Sequence, residues 1–316
     1  MNFICPNDIV NNYEIISKLG KGAYGEIFSV KNNDTNNIEV FKVLRKEKRF
    51  EQSQINEINI LKKITDSHNK NCDSKIEFVS LFIDDFFFKN YHIIVQKKYS
   101  HNLYQEYIKR KIHSENIKRI IFDILRGLHF LKYNKIIHGD IKPENILFVD
   151  DTSYKVVICD FSLSLDLTTC TENDKKNFNL QSIWYRAPEI LFKNEFDYSI
   201  DLWSVGCIAY ELYFDSPLFS TRTETDLFSK IYCFLGIPKM DIIKSSSITR
   251  SLFNLNYELT YEIDSKIINK MSNHKDNLHM RCNSLTLKTL MLGILTWDPK
   301  DRISLESCLK LFKKLK

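Results

Sequence analysis

Apolar and polar residues alternate in short runs through the first third of the chain. The runs Tyr13 to Gly20, Glu26 to Val30 and Ile38 to Leu44 carry the period-two pattern of strands with one buried face, separated by glycines or by the polar turn Lys31 to Asn37. One helix interrupts them. Between Phe50 and Ile64, the residues Ile55, Ile58 and Leu61 fall three apart on one stripe, which predicts an amphipathic helix laid against the sheet. Beyond Ser100 the period becomes helical. Ile117, Ile120, Ile121, Ile124, Leu125, Leu128 and Leu131 recur at helical spacing, so a long helix is expected to end before Lys135. The stretch Ser199 to Phe214 is apolar on nearly all sides, as a helix in the middle of a helical domain must be. The Asn-, Lys- and Ser-rich patches at 65–75 and 241–250 read as surface loops, and no internal repeat is present.

This pattern predicts an α+β fold of two lobes, a small β-rich one with a single main helix followed by a larger α-helical one. A length of 316 residues suits two such units. With 43% hydrophobic and 27% charged residues the balance is that of a globular protein, which excludes intrinsic disorder and a small disulfide scaffold. The net charge of +5 is thin and scattered, so neither nucleic acid nor an anionic membrane is expected as a partner. The eight cysteines form no C-x-x-C pair and no Cys/His cluster, and they read as reduced thiols. The N-terminus lacks a basic start followed by a long apolar run, and no segment approaches the ~18 apolar residues of a membrane span. A soluble monomer of the cytoplasm or nucleus is expected.

Candidate chemistry begins at Gly20-Lys21-Gly22-Ala23-Tyr24-Gly25, a G-x-G-x-x-G run whose missing side chains let backbone amides approach phosphate oxygens. A dinucleotide fold needs this loop to open a helix. Here Glu26 to Val30 continues as a strand, so the glycines form the tip of a hairpin, the setting of a nucleotide lid. On the next strand Lys42 could reach the α- and β-phosphates if a carboxylate held its flexible stem, and Glu57 on the following helix is the candidate. The strongest signal is His138-Gly139-Asp140-Ile141-Lys142-Pro143-Glu144-Asn145. Phosphoryl transfer needs a carboxylate to orient the attacking hydroxyl, cations over the transferring group and ligands for Mg²⁺. Asp140 would accept the hydroxyl proton, Lys142 would offset charge on the γ-phosphoryl, and Asn145 would bind the metal through its amide oxygen. Asp160, at the end of the apolar run Val157-Ile158-Cys159, is the second metal ligand.

With these residues the chain resembles a eukaryotic protein kinase from about Tyr13 to Phe312: HGDIKPEN stands for the catalytic loop, CDFS for the metal-binding motif and RAPE at 186–189 for the peptide-docking floor. The resemblance implies a tail at 1–12, a kinase N-lobe at 13–98 and a C-lobe at 99–316. It implies ATP and Mg²⁺ as cofactors and protein substrates as partners. ATP would be bound by Leu19, Gly20, Lys21, Gly22, Ala23, Tyr24, Gly25, Ile27, Val40, Lys42, Gln96 and Leu147, with Ile27 and Leu147 enclosing the adenine and Val40 roofing it. Lys142 is similar to the lysine of serine/threonine kinases, and Ser182 to the hydroxyl that bridges it to the catalytic aspartate. Two roles implied by the resemblance are structural: Glu189 pairs with Arg302, and Asp201 receives hydrogen bonds from the catalytic-loop backbone. Leu61, His138 and Phe161 resemble the stack that aligns the two lobes. Tyr185 to Glu189, Pro217-Leu218-Phe219 and Leu235 to Pro238 resemble the CMGC group. Within it, FEQSQINEINIL, SHNLYQEY and LQSIWYRAPEIL are similar to the dual-specificity tyrosine-regulated kinases and their homeodomain-interacting and LAMMER-type relatives.

Several positions depart from that pattern. Gly139 stands where many kinases have an arginine, a cation that waits for activation-loop phosphate. Asn179 takes the place of the autophosphorylated tyrosine and Ile183 that of one of its arginine partners, while Arg186 is kept. The tyrosine switch is therefore expected to be lost, with the loop held by packing. Ser162 replaces a glycine after Asp160-Phe161, which restricts the backbone and should hinder a flip of Phe161. Gln96 falls at the gatekeeper position and Lys97 where the hinge often carries an acid. The rival from another class is a nucleotide-binding pseudokinase scaffold, suggested by Gly139, Ser162 and Val40. It is opposed by the joint presence of Lys42, Glu57, Asp140, Lys142, Asn145 and Asp160, because loss of one charge-stabilising group typically costs ~3 kcal/mol in rate. A small-molecule kinase is disfavoured by the complete RAPE region.

Overall fold

The structure, a computed structural model, describes residues 4–22, 25–47, 51–71, 77–171 and 180–312. A six-stranded antiparallel sheet in the order β1-β2-β3-β4-β6-β5 makes the small lobe. Its strands are β1 (Ile9–Val10), β2 (Tyr13–Lys21), β3 (Gly25–Asn32), β4 (Ile38–Leu44), β5 (Phe82–Phe88) and β6 (Tyr91–Lys97). The turn between β3 and β4 forms because the Asn32 side chain accepts from the Asp34 and Thr35 amides and Asn36 takes a positive φ of 59°. Period-two alternation places β6 between two cores. Ile93 and Val95 join Tyr13, Ile15, Phe28, Val30 and Phe41 in a cluster of the small lobe, whereas Ile94 faces the core that contains helix α1 (Glu51–Asn71).

Two expectations about this lobe are corrected. Ile55 is 45% exposed; the buried stripe of α1 is Glu57, Ile58, Ile60, Leu61, Ile64 and His68, rotated away from Ile55 by the residues that face the sheet and the large lobe. Residues 65–71 continue α1 rather than forming a loop, and 72–75 lie outside the described residues. Within residues 1–12, Ile4 and Val10 are buried and β1 pairs with Tyr13 and Glu14, extending the sheet by one strand.

The large lobe opens with α2 (Leu103–Lys109) and α3 (Ser114–Tyr133), in which all seven periodic apolar residues are buried. The short strands β7 (Ile136–Ile137), β8 (Ile146–Phe148), β9 (Val156–Ile158) and β10 (Leu165–Asp166) then carry the chain along the interlobe face, pairing β8 with β9 and β7 with β10. After α4 (Pro188–Leu191), α5 (Ser199–Phe214) is buried continuously from Ile200 to Leu212, as its all-round apolar sequence requires. Helices α6 (Glu224–Leu235), α7 (Met240–Ser245), α8 (Ser247–Leu252), α9 (Ser265–Asp276), α10 (Leu285–Ile294) and α11 (Leu305–Leu311) pack outside it. The patch at 241–250 is thus helical, not a loop: Ser246 caps α8 through the Thr249 amide, and Ile243 anchors α7 in the core. Among the described residues, no helix is long and apolar enough to cross a membrane.

Candidate active site

The glycine hairpin joins β2 to β3, with Gly20 opposite Ile27 and Lys21 opposite Glu26. Its glycines are not equivalent. A Cβ on Gly25 would lie 2.2 Å from the Val43 carbonyl oxygen, so the neighbouring strand demands glycine there, but a Cβ on Gly20 or Gly22 would meet nothing within 4 Å. Nothing inside the described protein requires glycine at those two positions, which suits a loop that clears its face for something outside the chain. Ala23 and Tyr24 lie outside the described residues. Ile27 sits opposite Lys42, and Val40 opposite Gln96, so these candidates share adjoining strands. Leu147 on β8 is half-buried, whereas Leu19 is 52% exposed.

Lys42 is buried, and its ammonium is the centre of the small-lobe half of the site. Nζ lies 2.5 Å from Glu57 Oε1 and 2.9 Å from Asp160 Oδ1, joining β4, α1 and the end of β9. Burial alone would lower the lysine, but Asp160 and Glu57 more than reverse this and hold it above its ordinary value. Burial likewise pushes Asp160 up, yet the Lys42 charge and hydrogen bond, with a further hydrogen bond from the Ser162 side chain, keep it well below the usual carboxylate range. Asp160 is therefore ionised and remains 35% exposed, a hard oxygen donor turned partly to solvent. The left-handed residue here is Asp160 itself, at φ 64°, and Ser162 is not left-handed. In this arrangement serine supplies a donor to the aspartate. Burial and the Asp160 charge raise the Cys159 thiol far up, leaving it protonated.

Across the cleft, the catalytic-loop half is built largely by backbone amides that donate to carboxylates. Asp201 at the start of α5 accepts from the backbone amides of His138 (2.8 Å) and Gly139 (2.9 Å). Gly139 takes φ +76°, and a Cβ there would lie 2.8 Å from the Leu163 carbonyl oxygen and 3.0 Å from Leu180. Any side chain at this position would be strained on this backbone and would force the following segment to shift, a reason for glycine that composition alone does not reveal. Asp140, thus positioned, receives Lys142 Nζ at 2.6 Å on Oδ2 and the Ser182 amide and hydroxyl at 2.9 and 2.8 Å on Oδ1. Lys142 also donates to Ser182 Oγ at 3.0 Å. Asn145 donates its amide nitrogen to the Asp140 carbonyl at 2.9 Å, which leaves the amide oxygen as the group available to a cation. A carboxylate and an amide oxygen fit Mg²⁺, which keeps several waters and needs few protein ligands.

The segment after the cleft is anchored by Gln181, which the sequence pattern did not single out, together with Arg186, Glu189 and Arg302, which it did. Gln181 is buried at φ 64°, donates to the Ile200 carbonyl and Ser204 Oγ at 2.9 Å each, accepts from the Ala187 amide, and its own amide reaches the Gly139 carbonyl at 2.7 Å. Arg186 donates to the Gln181 carbonyl and pairs with Glu224 at 2.7 Å. Glu189 and Arg302 form a buried two-bond pair at 2.5 and 2.6 Å. His138 and Phe161 stack edge-on at 5.2 Å within the core that includes Leu61. Asn179 lies outside the described residues. No hydrophobic period marks a residue such as Gln181; its isolated polarity beside the buried Leu180 was the one available signal.

The chain matches the Protein kinase domain family over residues 13–311. It is 28% identical over 311 residues to dual specificity tyrosine-phosphorylation-regulated kinase 4 of Homo sapiens, covering 97% of this chain and 58% of that protein. It is 29% identical to dual specificity tyrosine-phosphorylation-regulated kinase 2 of Drosophila melanogaster, covering 94% and 40%. With homeodomain-interacting protein kinase 1 of Caenorhabditis elegans the identity is 32% over 249 residues, covering 77% and 28%. The chain thus spans less than two thirds of the length of each of these relatives.

Proposed function

The chain belongs to the protein kinase family, and from that membership we propose that it is an active serine/threonine protein kinase, which transfers the γ-phosphoryl of Mg-ATP to protein Ser/Thr hydroxyls without activation-loop tyrosine phosphorylation. The observation that carries the reading is the triangle of Asp140, Lys142 and Ser182, set opposite the Lys42–Asp160 pair. In the proposed step Asp140 accepts the proton of the substrate hydroxyl as its oxygen bonds to the γ-phosphorus. The bond from that phosphorus to the β–γ bridging oxygen breaks, and ADP leaves. Lys142 offsets charge on the transferring group, Lys42 holds the α- and β-phosphates, and Gly20 and Gly22 present backbone amides. Asn145 and Asp160 would hold Mg²⁺, which when bound neutralises phosphate charge.

Independence from an activation-loop tyrosine phosphate is supported from two sides. Between Thr171 and Ser182 the sequence holds no Ser, Thr or Tyr to receive one. Gln181, Leu180 and Gly139 already join that segment to the catalytic loop by buried contacts. The buried thiols of Cys207, Cys282 and Cys308, which form no disulfide, support the reducing environment of cytoplasm or nucleus. The test is γ-phosphate transfer from Mg-ATP to a generic basic protein. Wild type should transfer and Asp140→Asn should lose at least ~10³-fold, in line with removal of a group acting at the reacting atoms. Nucleotide binding without transfer by wild type would convert the reading to that of a pseudokinase.

A further inference from the structure

Helix α1 carries Glu57, so whatever fixes α1 also decides whether Lys42 keeps its carboxylate. Two adjacent lysines of this helix point about 100° apart around its axis. Lys62 reaches Asp85 on β5 at 2.6 Å, a contact inside the small lobe. Lys63 reaches the other way, to Asp166 Oδ2 on β10 at 2.7 Å. Two turns earlier on the same side of the helix, Asn56 Nδ2 donates to the Ser164 carbonyl at 2.8 Å. Asn56 and Lys63 therefore both grip the segment that follows Asp160-Phe161.

That segment is itself fixed to the catalytic loop. Leu165 and Asp166 pair with Ile137 and Ile136 on β7, which runs directly into His138-Gly139-Asp140. Ser164 Oγ donates to the His138 carbonyl at 2.8 Å, and the Leu167 amide to the Lys135 carbonyl at 2.8 Å. The Asp166 carboxylate is further oriented by the Thr168 amide at 2.9 Å and hydroxyl at 2.6 Å. Its side chain is 12% exposed and that of Lys63 33%, so this ion pair is better shielded from solvent than a surface pair.

We infer that Lys63 and Asp166, seconded by Asn56 and the Ser164 carbonyl, are positioning residues that hold α1 against the catalytic-loop scaffold, a fixed carboxylate serving where an added phosphate would otherwise be needed. The inference deepens the kinase reading and, for its kinetic part, rests on it. Because Lys42 favours nucleotide when Glu57 is in place, loosening α1 weakens ATP binding by the fraction of molecules with the helix displaced, and high ATP draws it back.

The test uses the full chain as wild type, Lys63→Arg, Lys63→Met, Asp166→Asn and the Lys63→Met/Asp166→Asn double variant. Lys63→Met and Asp166→Asn should each raise KM for ATP about fivefold or more with kcat within twofold, the double variant should be no worse than the worse single, and Lys63→Arg should restore most of the loss. A purely structural role would instead lower the amount of active enzyme equally at every ATP concentration. In parallel, amide hydrogen exchange across 56–64 should speed up at least tenfold in Lys63→Met while that of β3 and β4 stays unchanged. Unchanged exchange in α1 overturns the inference whether or not the wild type transfers phosphate. Faster exchange with no transfer by wild type would leave the clamp standing and remove the kinase reading. Multiplicative losses in the double variant would show that the two side chains act separately and would also overturn it.

Discussion

The two halves of the cleft are held by different physics. On the small-lobe side, Lys42, Glu57 and Asp160 meet through charge, and the carboxylates arrive from separate elements of both lobes. On the catalytic-loop side, Asp140 is placed by backbone amides, close backbone contact at Gly139 and the buried amide of Gln181, all within one lobe. An ion-paired assembly whose partners come from separate elements can be loosened without unfolding any of them. A loop fixed by backbone contacts inside one core moves only when that core is disturbed. The site therefore combines a rigid floor with an adjustable roof, and the same kind of substitution should have different consequences in each.

Perturbing the floor should have the largest effect on stability. Gly139→Arg forces a side chain onto a left-handed backbone 2.8 Å from a carbonyl oxygen. It should cost roughly 2–4 kcal/mol, read as a fall in Tm with activity lost in proportion to folded protein. If the variant melts like wild type, the close contact does not exist and the comparison fails. The Lys63→Met variant of the roof should be smaller by this measure, with Tm within a few degrees of wild type although KM for ATP rises. A Tm loss as large as that of Gly139→Arg would erase the distinction between the halves.

The smallest expected effect lies beneath the floor. Burial pushes the Glu211 carboxyl up to about 7, opposed by the 2.7 Å hydrogen bond from Tyr185 and reinforced by Glu144. The folded chain thus holds this proton more tightly than the unfolded chain, whose glutamate titrates near 4.5. Stability from this group is fully present below 4.5 and is lost as pH rises toward about 7, by ~1–3 kcal/mol. Thermal melts of Glu211→Gln should show an advantage over wild type that grows by a few degrees between pH 5 and pH 8. Parallel pH profiles for the two proteins would show that Glu211 is ionised throughout.

Much of this was legible along the chain because period and local motif coincide with the physics. The seven apolar positions of α3, the buried α5 and the hairpin strands are fixed by which side chains must leave water, and the octapeptide around Asp140 carries its chemistry in one run. What could not be read are contacts between residues far apart in sequence whose types are individually ordinary. Lys63 and Asp166 lie 103 positions apart and each reads as a surface charge, and Gln181 is one polar residue in a loop. Ile55 was misplaced because a three-residue spacing is shared by more than one helix face, and only the packing of Glu57, Ile60 and Ile64 selects among them. At Ser162 the contact of the side chain with Asp160 was likewise not legible from the residue type.

The central claim is that the cleft is assembled for transfer before any phosphate is added to the chain. It is tested most directly by the time course of γ-phosphate transfer from Mg-ATP to a basic protein, using chain shown by intact mass to carry no phosphate. A rate that is linear from the first seconds, and absent in Asp140→Asn prepared alongside, is the predicted result. A lag, or a gain of more than tenfold that tracks phosphate appearing on the enzyme, would contradict it.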